Sequence, residues 1–76
     1  MSRKDNIRAE GRITEALGGD RFSVELDNGV TVTAVLSGRM RMHRIRVMPG
    51  DRVAVEMSPY DLTRGLVSYR FDGKRG

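Results

Sequence analysis

The stretch Arg21-Phe22-Ser23-Val24-Glu25-Leu26-Asp27-Asn28-Gly29 narrows the possible folds more than any other part of the chain. Phe22, Val24 and Leu26 alternate with Arg21, Ser23 and Glu25, the two-residue period of a strand with one buried and one wet face. Asn28-Gly29 is the strongest short hairpin signal, so the chain is expected to turn back on itself there. The period resumes from Val30 to Leu36, with Val32, Ala34 and Leu36 inward.

More strands flank this hairpin. Ile7, Ala9, Gly11 and Ile13 alternate with Arg8, Glu10, Arg12 and Thr14, ahead of the turn chemistry of Gly18-Gly19-Asp20. Gly11 has no side chain to pack and is expected to mark a bulge or sharp bend. Later in the chain, Arg52 to Met57 reads as a strand with Val53, Val55 and Met57 inward. Ser58 to Gly65, with proline near its start and glycine at its end, reads as a loop. A last strand runs from Leu66 to Phe71, with Val67, Tyr69 and Phe71 on one face. Phe22 and Tyr69 are assigned to the core. Residues 1–6 and 72–76 read as flexible tails around a single domain at 7–71.

Between the third and fourth strands lies Ser37 to Arg46, with four arginines, the only histidine and no acidic side chain. An unpaired guanidinium is far too costly to desolvate, so this stretch faces outward and calls for an anionic partner. Ser37 offers a side-chain oxygen as the N-cap of a short helix starting near Gly38. Arg44-Ile45-Arg46-Val47 alternates instead, which predicts an extended exit, and Pro49-Gly50-Asp51 closes the connector with a turn. Five short strands with a small helical connector between the third and fourth are the chain order of an all-β, five-stranded OB-fold barrel. An SH3-like barrel would not need the long connector.

Composition then selects among functions. A chain of 76 residues buries a thin core, and without cysteine it has no disulfide and no thiolate metal site. No stretch approaches the roughly 20 apolar residues that cross a bilayer, and no secretory signal is present, so a soluble cytoplasmic protein is expected. Fourteen basic residues, twelve of them arginine, stand against ten acidic ones, for a net charge of +4. Arginine suits bidentate phosphate contacts and stacking on bases, which points to nucleic acid. His43 alone supports neither acid–base catalysis nor a metal centre, and no phosphate loop is present, so neither an enzyme nor a cofactor is expected.

The aromatic side chains are Phe22, Tyr60, Tyr69 and Phe71, and with Phe22 and Tyr69 in the core only Tyr60 and Phe71 remain as stacking platforms. Arginines outweigh them, so recognition of folded RNA through phosphates, 2′-hydroxyls and shape is expected. Arg39, Arg41, Arg44 and Arg46 lead the candidates, with His43 as donor or stacking surface. Met40 and Met42 are either plugs of the barrel end or apolar wedges against bases. Arg64 and Arg70 extend the positive surface, whereas Arg8 and Arg12 read as solvated neighbours of Glu10 and Glu15.

The segments VELDNG, SGRMR and PYDLTRG, at Val24–Gly29, Ser37–Arg41 and Pro59–Gly65, with Ile45-Arg46-Val47 and Gly50-Asp51-Arg52-Val53 between them, resemble bacterial translation initiation factor 1. The likeness runs in register from about Asp5 to Arg70. It implies an S1-type OB-fold without enzymatic activity that binds the small ribosomal subunit at the aminoacyl site, on the rRNA of the decoding region. It also implies that the protein blocks premature binding of elongator tRNA, acts with initiation factors 2 and 3, and is a monomer. Position by position it implies RNA contacts at Arg39, Met40, Arg41 and Arg46, and at Tyr60, Arg64 and Arg70. His43-Arg44 and Leu66 depart from the family's usual residues. The alternatives are a stand-alone S1 or cold-shock type RNA chaperone and a small barrel that docks an acidic protein.

Overall fold

The computed structural model describes residues 6–71. The alternating stretches become five strands, β1 (Ile7–Gly18), β2 (Arg21–Leu26), β3 (Thr31–Leu36), β4 (Arg52–Ser58) and β5 (Asp61–Arg70), with one helix, α1 (Gly38–Met42), between β3 and β4. The tails expected at either end fall on residues outside those described, except for Asn6, which is exposed.

The strands close into a barrel in the order β1-β2-β3-β5-β4, and β4 returns to β1. Only β3 and β5 run parallel. A parallel pair needs a crossover, and α1 followed by β4 supplies it. The architecture is the OB-fold read from the sequence. Its interior is filled mainly by β-branched side chains, which pack well on a pleated surface: Ile13, Val24, Val32, Val53, Val55 and Val67 are all 2% exposed or less.

β1 has to serve two neighbours. It pairs with β4 from Ile7 to Arg12 and with β2 from Gly11 onward. Gly11 stands where the two overlap, opposite Leu26 on one side and Val53 on the other. A Cβ there would meet the Glu25 carbonyl oxygen and lie 2.8 Å from Leu26 Cα. Gly11 is thus a point of close backbone approach, and of the two alternatives read for it the bulge does not occur there. The register shifts come later, between Ile13 and Glu15 and between Ala16 and Gly18. They break the alternation, which is why the strand continues to Gly18 although its pattern fades after Thr14.

The loop expected at Ser58–Gly65 shrinks to a tight turn at Pro59-Tyr60, and β5 begins at Asp61. The inward position that would have signalled a strand is held by Gly65. A Cβ on it would lie 2.5 Å from Val55 Cγ1 and 2.9 Å from Met57 Cγ, so those side chains already fill the space. Tyr69 is also reassigned, from core to surface, at 52% exposure. Ala54 pairs with Tyr69 but Val55 with Val67, so β5 carries an extra residue at Ser68 that turns Tyr69 outward. Phe22 is half-buried at the edge of the core, and Ile7 is 40% exposed.

The turns hold register. Leu26 N–H donates to Val30 O at 2.8 Å and Gly29 N–H to Leu26 O at 2.8 Å, with Gly29 at φ 92°. The hairpin therefore uses a three-residue loop with glycine alone in the left-handed region. Beside it, Arg52 clamps Asp27 through two bonds of 2.6 and 3.1 Å and reaches Glu10 at 3.4 Å. The hydrogen bond from Arg52 holds the Asp27 carboxyl below the usual carboxylate range, and the same bond raises Arg52. Glu10 thus takes Arg52 across the strands as its ion-pair partner, while Arg8 and Arg12 stay exposed, as solvated neighbours would.

Candidate nucleic-acid interface

The connector is built from its caps. Ser37 Oγ accepts from Met40 N–H at 3.2 Å, and Ser37 N–H donates to Val67 O at 3.0 Å, so the start of α1 is fixed to β5. Met40 is 1% exposed and seals the barrel end. Of the two readings open for this residue, the plug holds: its side chain sets the position of α1 and is not free to meet RNA. With Met40 inward, Arg39 and Arg41 are driven outward on either side, and Met42 is left 75% exposed.

The end of α1 is a Schellman motif. Arg44 N–H donates to Arg41 O at 3.1 Å and Ile45 N–H to Met40 O at 2.9 Å, with Arg44 at φ 54°. Beyond it, Ile45 and Val47 pack against the core while Arg46 stays exposed, the alternating exit read from the sequence. Two contacts fasten that exit. Arg70 Nη1 donates to Arg46 O at 2.9 Å, and Asp51 Oδ2 accepts from Met48 N–H at 2.9 Å in a turn where Gly50 takes φ 100°. The connector is preorganised on the barrel before any partner arrives.

Arg39, Ser68 and Tyr69 form the shared wall of two adjoining grooves. One continues to Arg8, Ser37 and Glu56, the other to His43, Ile45 and Arg70. The Tyr69 ring meets Phe71 edge-on, with centroids 5.0 Å apart at 76°. An aromatic pair therefore stands among guanidinium groups on the outside of the barrel, the combination that takes a base by stacking and its phosphate by charge. The sequence alternation places Tyr69 inside and Arg8 among solvated neighbours, and the extra residue at Ser68 is what brings Tyr69 into this wall.

The arginines differ in how free they are. Arg41 lies 3.6 Å from Asp20, both half-exposed, a pairing of little net strength. Among the described residues, Arg39, Arg44 and Arg46 have no carboxylate within 4.0 Å. Arg39, Arg41, His43, Arg44, Arg46 and Arg70 thus gather around α1. Tyr60 and Arg64 do not join them. They lie toward the opposite end of β5, where about 3.3 Å per residue puts Arg64 roughly 20 Å along the strand from Arg70. Tyr60 is 92% exposed on its turn, and Arg64 Nε donates to Asp61 Oδ2 at 3.1 Å. Hydrogen bonds from the Thr63 hydroxyl and N–H, and then from Arg64, hold the Asp61 carboxyl low. Arg64 lines a separate groove with Arg21 and Leu66. Among the described residues, no group of three or more potential ligands could hold a metal ion.

The sequence model of the family described as Translation initiation factor 1A / IF-1 matches residues 1–75. The solution structure of translation initiation factor 1 from the Wolbachia endosymbiont of Brugia malayi is 39% identical in sequence, with a TM-score of 0.76, covering 92% of this chain and 83% of that one. The crystal structure of YjeQ from Thermotoga maritima aligns at a TM-score of 0.69 over 86% of this chain and 23% of its own, at 21% identity, a likeness of fold alone.

Proposed function

The chain belongs to the translation initiation factor 1A / IF-1 family, and from that premise we propose that it occupies the aminoacyl site of the small ribosomal subunit. Its partner there is the rRNA of the decoding region. It acts by steric occupation and by stabilising one rRNA conformation, with no covalent chemistry. While bound it excludes elongator tRNA, and it works as a monomer alongside initiation factors 2 and 3.

The observation that carries this reading is the connector: Arg39, Arg44 and Arg46, uncompensated within the described chain, held by a capped helix beside the exposed Tyr69 ring. Guanidinium groups grip phosphates from both sides of a groove. Met42 stands among them as an apolar wedge. Arg64 and Tyr60, at the other end of β5, reach a second segment of RNA rather than the same one.

Salt titration of binding to purified small subunits tests the reading. The logarithm of affinity is expected to fall linearly with that of salt concentration, by about 0.7 to 0.9 per phosphate neutralised, giving a slope of roughly −3.5 to −4.5 if the five arginines around α1 are engaged. Unstructured RNA should compete weakly. Equal competition by unstructured RNA would favour an RNA chaperone instead, and a flat salt response would favour a protein partner.

A further inference from the structure

Arg44 adopts a backbone conformation that suits glycine. Its φ is 54°, at the position just beyond the helix cap His43 where the Schellman motif turns left-handed. In that region a Cβ crowds the following carbonyl, and glycine escapes the strain. Among the described residues, Gly18, Gly19, Gly29 and Gly50 are the glycines with positive φ. Asp20 is the other described non-glycine residue with positive φ, and aspartate is among the few residue types that visit this region routinely. Arginine is not one of them.

Electrostatics disfavour the residue as well. Arg44 sits within two or three residues of Arg41, His43 and Arg46, is exposed, and has no carboxylate within 4.0 Å among the described residues. Neither its backbone nor its neighbours account for an arginine at the apex of the bend. Strain of this kind persists where it serves a site. We infer that Arg44 is a phosphate-binding residue of the RNA interface, held in a strained left-handed conformation that lowers the stability of the free protein. The inference rests on the proposed function and adds to it a trade between folding and binding at one residue.

The two effects have opposite signs, which a purely structural residue would not give. Arg44→Gly is expected to raise the folding equilibrium constant by about three- to tenfold and the melting temperature by about 3 to 11 °C. The same variant should bind purified small subunits about tenfold more weakly, with the salt slope reduced by about 0.7 to 0.9. Arg44→Asn, which tolerates the left-handed region without charge, should show the same loss of binding. Arg44→Lys should keep most of the salt slope and the parent melting temperature. A melting temperature unchanged or lowered in Arg44→Gly would overturn the strain. Unchanged affinity and slope in Arg44→Gly, with the parent protein binding normally, would overturn the assignment of Arg44 alone. Failure of the parent protein to bind would remove the initiation-factor reading and this inference with it.

Discussion

Replacing Arg39 and Arg41 together by glutamate is expected to abolish association with the small ribosomal subunit while leaving the circular dichroism spectrum and melting temperature nearly unchanged. Both side chains are exposed, and neither contributes to the caps, which are made by Ser37, Met40 and backbone groups. Both positions fall within the last turn of a five-residue helix, so acidic side chains there oppose its dipole, an effect that exposure to solvent keeps to a few tenths of a kcal/mol or about 1 kcal/mol at most. At position 41 a glutamate would face Asp20 across solvent, a repulsion that screening keeps small. Binding is another matter. Each charged hydrogen bond lost costs about 1.5 to 3 kcal/mol, so two amount to a weakening of roughly a hundredfold or more before the new repulsion from phosphate is counted. Tight binding by the double variant would remove the connector from the interface.

The second large effect is on the fold. Gly11→Val is expected to leave the chain largely unfolded at 25 °C. A domain of this size holds roughly 4 to 11 kcal/mol of stability, and ordinary overpacking in a core already costs about 1 to 3 kcal/mol. Here the obstacle is worse, because the added Cβ meets the backbone of Glu25 and Leu26 rather than a side chain able to change rotamer. Relief requires β1 and β2 to separate where β1 is held by β4 as well. Loss of the cooperative thermal transition, followed by circular dichroism, checks this. At Gly65 the nearest atoms belong to the Val55 and Met57 side chains, so Gly65→Ala should be the milder change. A Gly11→Val protein melting like the parent would mean that β1 and β2 are not in this register.

The contrast between these glycines shows what a sequence can and cannot convey. β2, β3 and β4 were legible because an uninterrupted two-residue period places Val24, Leu26, Val32, Ala34, Val53 and Val55 on one face, and each of them is buried. The connector was legible too. Ser37 caps α1, and Ile45 and Val47 alternate with Arg46 as their order implies. What escaped reading were the places where register slips. A single extra residue at Ser68 moves Tyr69 from the interior to the wall beside Arg39, and nothing in Leu66 to Phe71 marks it. The start of β5 was hidden for a different reason, since Gly65 occupies an inward position by being absent there. Phe22 was assigned to the core and lies only at its edge, while Met40 keeps the first of its two readings, the plug. The phenylalanine is only half-buried, whereas the methionine from the basic stretch is sealed inside, so truncation of Met40 should destabilise at least as much as truncation of Phe22.

The central claim is an address on the ribosome for the face around α1. The chain has no cysteine, so Met48→Cys, at an exposed position on the exit of the connector, gives a single site for tethering an iron chelate that releases hydroxyl radicals. With the labelled protein bound to small subunits, strand scission is expected to cluster in the rRNA of the decoding region and to vanish when unlabelled protein competes. Scission scattered over the subunit, or clustered away from the decoding region, would contradict the account.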